Sequence, residues 1–439
     1  MRCGDGLGVI RPVMTREIVL VSRNAGAVVR VRVYKLAFFI LTFSAFSGCT
    51  AIAEKTDVNE PQIWKDENIT LPANGLTVSS ALYLKGRVNI TGGAMRITRK
   101  GRLIIEKNSD ISITGVTIVV AGATPTEGNE PNYLISVRGG AKTSFTAANN
   151  NILINTPYSD RNLESPWDQP PLYWLFGMPR KEMDEGGFLN LAIKNNKLVS
   201  SSPYSTGAIA IRQIPGESVS PTLTGEISQN EFNGFHGVIA LDNLRKFHIS
   251  DNRLLKNNYA NIFAGGEEVE ITENKIYYPG NGTTGDGITV IGKLKNSRID
   301  GNTIFDGSCY GILIRGSEIT RLQISNNTIL NGITTAIQLD AIEKPISDIT
   351  VKGNIISGNK GFAVTFVGVR DSSIEHNHFT ANAPGFPAQI YVERSPHLTV
   401  TGNLSAPPLT PEWASKLELN RTHVFSDDST FTLPDAQAE

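Results

Sequence analysis

One spacing constrains this chain more than any other: an apolar β-former, two residues, an asparagine, one residue and a second apolar residue. It occurs as Ile193-x-x-Asn196-x-Leu198, Ile227-x-x-Asn230-x-Phe232, Ile249-x-x-Asn252-x-Leu254, Ile271-x-x-Asn274-x-Ile276 and Ile299-x-x-Asn302-x-Ile304. It continues as Ile324-x-x-Asn327-x-Ile329, Val351-x-x-Asn354-x-Ile356 and Ile374-x-x-Asn377-x-Phe379, ending on a degenerate Val400-x-x-Asn403-Leu404. The steps from Asn196 to Asn403 are 34, 22, 22, 28, 25, 27, 23 and 26 residues. A period in the twenties with no helix-forming run between copies means a solenoid of short strands.

Ahead of each Asn lies an apolar pair two residues apart, such as Ile209/Ile211, Ile239/Leu241, Ile288/Val290, Ile312/Ile314 and Ile337/Leu339. That alternation puts the pair on one face of a strand and the residue between on the other. Three short strands per turn with aliphatic side chains inward predict an all-β right-handed parallel β-helix. About ten to thirteen coils, three short parallel sheets and an asparagine ladder at one bend are expected. Coils stack at about 4.8 Å, so equivalent asparagines lie above one another and each amide can donate to one coil and accept from the next. Of the 36 Asn and 41 Gly in 439 residues, many are assigned by this repeat to bends, which both residues tolerate.

On the Gly-Ile-x-Ile and Ile-x-x-Asn-x-Ile signatures, residues 70–405 resemble the pectate-lyase-type β-helix superfamily and the β-helix proteins associated with exopolysaccharide biosynthesis. The resemblance implies a polymer groove on the outer surface of the first sheet. The motifs of individual enzymes are missing: Gly285-Asp286-Gly287 stands alone where a polygalacturonase has three acidic or histidine motifs, and the Asp-Pro-His-Asp of periplasmic mannuronan epimerases is lacking.

At the amino end, Arg30, Arg32 and Lys35 precede an apolar run closing on Ser47-Gly48-Cys49. This is the pattern of an export signal, and its ending resembles a lipoprotein box with Cys49 as the lipidated residue. The chain divides into a tail and signal over 1–48, a linker and cap over 49–73, the solenoid over 74–405 with an inserted loop at 156–186, and a terminal extension over 406–439 with a short helix at 411–419. The expected place is the periplasm or outer membrane. Processing at Cys49 would leave only Cys309, which excludes an intramolecular disulfide and a zinc cluster.

With 41 Lys+Arg against 42 Asp+Glu, the chain has no global charge for binding nucleic acid. The 40% apolar content excludes a wholly disordered protein. Chemistry is expected on the outer face of the first sheet, where register exposes Arg212, Asp242, Asp286, Arg315, Gln338 and Asp340. Arg can neutralise a uronate carboxylate, and lyases and epimerases need that together with a base and a donor. His236, Tyr259 and Arg315 are the catalytic candidates. Trp167 and Trp174 of the inserted loop are candidate sugar-stacking residues. No metal ligand set is predicted: Asp242 and Asp340 lie four coils apart, too far to share a calcium ion, so a cofactor is left unassigned, as is the oligomeric state. A lyase or C5-epimerase on an acidic polysaccharide, a non-catalytic scaffold or binding lipoprotein, and a surface adhesin are all compatible with the sequence.

Overall fold

The computed structural model describes residues 57–121, 132–155, 173–179, 187–201, 206–211, 221–257, 261–277, 285–306, 309–342, 344, 346–382 and 389–406. It also describes strands at 14–21, 28–34, 50–52, 422–425 and 431–432. All described elements are strands. The strands that follow the asparagine bend form one 13-stranded parallel sheet, which sets thirteen coils. Each strand pairs with its counterpart one coil away, as Ile276 with Ile304, then Ile329, then Ile356. The fold is a right-handed parallel β-helix.

The inward pairs form the core. Ile239, Ile262, Ile288, Ile312 and Ile337 are successive register partners, each with no exposed surface. Burial of such a side chain stabilises by roughly 1.5–3 kcal/mol, and the repeat supplies it coil after coil. At the asparagine bend every Oδ1 accepts from both the backbone N–H and the Nδ2 of the preceding coil's Asn, at 2.9–3.1 Å from Asn196 to Asn302. The chain of bonds reaches Asn403 at one end and begins with Val116 donating to Asn150 at the other.

The structure differs from the sequence expectation in four places. First, the strands Gly237–Ser250, Ile262–Thr272, Ile288–Asp300 and Ile312–Ser325 run straight through the bend between first and second sheets, so those two sheets join into one ladder. Left-handed residues such as Asn243 and Lys246, at φ 56° and 49°, take up the change of direction. Second, the solenoid begins before residue 74. Gln62–Lys65 and Asn68–Thr70 already pair in parallel with the next coil, and Trp64 sits in the core.

Third, 156–186 is not one inserted loop. Within it Tyr173–Gly177 forms a first-sheet strand between Asn132–Val137 and Thr206–Ile211, so the interval supplies the opening strand of a coil that Phe188–Lys194 and Lys197–Ser200 complete. Fourth, the stretch expected to be a tail pairs as an antiparallel hairpin, Met14–Val21 with Val28–Tyr34, joined by Thr50–Ile52. Its Val29-Arg30-Val31-Arg32-Val33 alternation has the strand period. Cys49 and residues 411–419 lie outside the described residues. Near the other end, Thr422–Phe425 and Phe431–Thr432 pair antiparallel with the last first-sheet and second-sheet strands. Among the described residues no helix is long and apolar enough to cross a membrane.

Candidate functional site

Two outward columns define the face of the first sheet. One passes through Ala210, Ala240, Phe263, Thr289, Leu313 and Gln338, the residues between the inward pairs. The other follows the pairs, with Ile291, Arg315, Asp340 and Val367 in register on consecutive coils. Arg315 and Asp340 are therefore direct neighbours. The guanidinium donates from Nε at 3.1 Å and Nη2 at 2.9 Å to the same carboxylate oxygen, Oδ2. The pair is framed by Ile291 and Val367 along its own column, and by buried Leu313 beside it.

Asp286 enters from the bend ahead of Ile288–Asp300. Thr289 Oγ1 donates to its Oδ2 at 2.9 Å and the Tyr310 backbone N–H to its Oδ1 at 3.3 Å. Burial pushes this carboxyl above the ordinary carboxylate range, against the opposing pull of those two bonds and of the Arg315 charge. Tyr310 is likewise pushed up, by burial first and then by the neighbouring Cys309, with Arg315 acting in the other direction. The Cys309 thiol is raised by burial and by Asp286. The cluster thus combines an ion pair with a carboxyl and a phenol, both of which burial pushes above their ordinary ranges.

Of the residues expected here, Arg315, Asp340, Asp286 and Gln338 come together on neighbouring coils. Asp242 does not join them, standing three coils from Arg315, about 14 Å at the stacking rise. His236 was expected beside the groove and is fully buried. It lies three residues before Ile239, whereas Asp286 lies two before Ile288, and that one-residue offset in the bend turns its ring inside. Trp174 is corrected from a loop wall to a strand residue, only 8% exposed. Its indole lies over Gly207 and joins Ala210, Ala240 and Phe263 in an outer apolar cluster, with Tyr133 packed alongside. Arg212, Tyr259 and Trp167 lie outside the described residues. Tyr310 and Thr289 were missed. Tyr310-Gly311-Ile312 repeats the frame of Asp286-Gly287-Ile288, so aligning the residue two before each inward Ile would have found Tyr310. Among the described residues no three His, Cys, Asp or Glu side chains converge on a metal position.

Residues 223–405 match the family model described as "Right handed beta helix region". No curated protein sequence matches the chain. Among solved structures, a hyperthermoactive exopolygalacturonase from Thermotoga maritima is 11% identical, with 79% of this chain and 87% of that one covered and a TM-score of 0.46. The periplasmic alginate epimerase AlgG is 12% identical, over 79% and 85%, also at 0.46. The PL6 family polysaccharide lyase Pedsa3628 from Pseudopedobacter saltans is 12% identical, over 82% and 98%, at 0.29.

Proposed function

We propose that this protein is exported and acts on an acidic, uronate-containing polysaccharide laid along the first sheet, by lyase or C5-epimerase chemistry. The observation that carries the reading is the Arg315–Asp340 pair beside Asp286 and Tyr310 in an apolar frame. Removing a proton next to a carboxylate builds enolate charge, which the Arg315 guanidinium is placed to meet. Asp340 supplies a carboxylate base. Tyr310, whose phenol burial pushes up, supplies a donor for a leaving oxygen or for return of the proton to the opposite face, and Asp286 holds the Tyr310 backbone in place. The signal-like amino end and Cys49 add the periplasm or outer membrane, and fractionation of the producing cells checks that placement.

A second reading is a non-catalytic polysaccharide scaffold assisting exopolysaccharide assembly or export. It is favoured by the burial of His236 and by the engagement of Arg315 Nε and Nη2 with Asp340. One screen separates the two. Purified protein is incubated with alginate, pectate and chondroitin, following 235 nm absorbance for a lyase and proton NMR of the polymer for an epimerase. Turnover that falls about 100-fold in Arg315→Ala supports the enzyme. Binding without turnover supports the scaffold, and turnover unchanged in Arg315→Ala removes the site.

A further inference from the structure

The third sheet presents a second surface. Its strands bury their central residue and turn the first and third outward, as in Lys275-Ile276-Tyr277. The outward column at the third position runs through Val199, Asn233, Leu255, Tyr277, Phe305 and Leu330 on consecutive coils. At the stacking rise its contiguous apolar part, from Leu255 to Leu330, is about 14 Å long on the outside of the solenoid, half-exposed except at exposed Tyr277. Tyr277 and Phe305 meet edge to face with centroids 6.2 Å apart, and Tyr277 is 36% exposed. Contiguous exposed apolar surface on a folded chain marks an interaction site.

The flanking charge indicates the partner. On the outward columns of this sheet the cations are Arg96, Lys197, Arg253 and Lys275, against one carboxylate, Glu231. Glu231 is shared between Lys197 at 3.9 Å and Arg253 at 3.6 Å. The further acids stand in the flanking bends: Asp251 and Glu273 two residues before Arg253 and Lys275, with the Glu273 carboxylate over Gly301, and Asp306 directly after Phe305, where it accepts from Asn331 Nδ2 at 3.1 Å. On the sheet itself, aromatic faces beside cations suit a chain of sugar rings bearing negative groups, with rings stacking on Tyr277 and carboxylates meeting Arg253 and Lys275.

We propose that the outer face of the third sheet, centred on Tyr277 and Phe305 with Arg253 and Lys275, is a second binding surface for an acidic polysaccharide, separate from the first-sheet site. The proposal rests on the reading that the ligand is an acidic polymer. Such a surface would keep the polymer on the solenoid while another stretch of it occupies the first sheet, raising its effective concentration there.

The test is electrophoresis of the whole protein through native gels containing polygalacturonate, alginate or neutral dextran. Wild type, Arg315→Ala, Lys275→Glu and the double variant Tyr277→Ala/Lys275→Glu are compared, with circular dichroism confirming that each is folded. Retardation by an acidic polymer but not by dextran is expected, weakened about tenfold in the double variant, clearly reduced in Lys275→Glu, largely kept in Arg315→Ala, and falling as salt rises. Lys275→Glu changes only an exposed charge, so it reports even if the double variant unfolds. Retardation lost in Arg315→Ala but unchanged in both third-sheet variants overturns this surface and leaves the first-sheet site standing. No retardation of wild type by either acidic polymer overturns both. A dimer in sedimentation that Tyr277→Ala dissolves assigns the face to a second copy of the chain and overturns the proposal.

Discussion

The asparagine bend and the outer face of the first sheet are built from the same coils at the same spacing, yet they obey different rules. At the bend, each position repeats: an Asn above an Asn, the same three bonds, the same burial. On the face, equivalent positions change from coil to coil, from Ala240 to Phe263 to Thr289 in one column and from Ile291 to Arg315 to Asp340 in the next. Repetition is what stacking energy selects, because a buried amide with an identical neighbour is always satisfied. Departure from repetition on an exposed strand position costs the solenoid little, so chemistry can collect there.

The sharpest way to break this contrast is at the bend. Asn302 Oδ1 accepts the backbone and side-chain N–H of Asn274, and its Nδ2 donates to Ile271 O at 2.8 Å. Asn302→Ala strands those three buried groups at once. With each unsatisfied group costing roughly 1–3 kcal/mol, we expect a loss of about 3 kcal/mol in urea unfolding. A loss below about 1 kcal/mol would mean that the ladder is decoration on a fold held by its aliphatic core.

The same contrast explains what was legible beforehand. The ladder and the inward pairs could be read because their spacing is periodic and each residue type has one physical use there. Arg315, Asp340, Asp286 and Gln338 could be placed by counting from those pairs. The strand Tyr173–Gly177 could not, because its five residues are all buried and its sequence shows no alternation. At the amino end, Trp64 is buried while its neighbour Ile63 is 66% exposed, and Asn74, at the repeat's spacing from Leu76, is exposed where the ladder asparagines are buried. His236 failed for a different reason: register fixes which way a strand residue points, but inside a bend one residue of offset reverses it. Tyr310 and Thr289 close on Asp286 across a bend and along a strand, a convergence that depends on how coils stack.

A smaller effect probes the packed part of the first-sheet face. Because the Trp174 indole lies over Gly207, a methyl group at 207 overlaps the ring. Gly207→Ala should cost about 2 kcal/mol, typical of overpacking, and most of the cost should vanish when Trp174 is shortened to Leu. Thermal unfolding of the two single variants and the double variant measures the coupling. Additive effects would show that the outer cluster is loosely packed and that this part of the face resembles the rest of the surface.

The smallest expected effect lies where the face departs furthest from the repeat. Burial raises the Asp286 carboxyl above its unfolded value, so the folded chain favours its protonated form. The stability this contributes is complete below the ordinary carboxylate pKa and is lost as pH rises through the higher folded value. Asn cannot ionise and keeps an acceptor for the Tyr310 N–H. Asp286→Asn should therefore match wild type in acid and become the more stable of the two as pH approaches neutrality. Denaturant midpoints taken from acid to neutral pH give the difference directly. If the two curves run parallel, Asp286 is an ordinary solvated turn residue like its counterparts in other coils. If they diverge as stated, wild type gives up stability near neutral pH by keeping an ionisable group where the repeat would be better served by a neutral one.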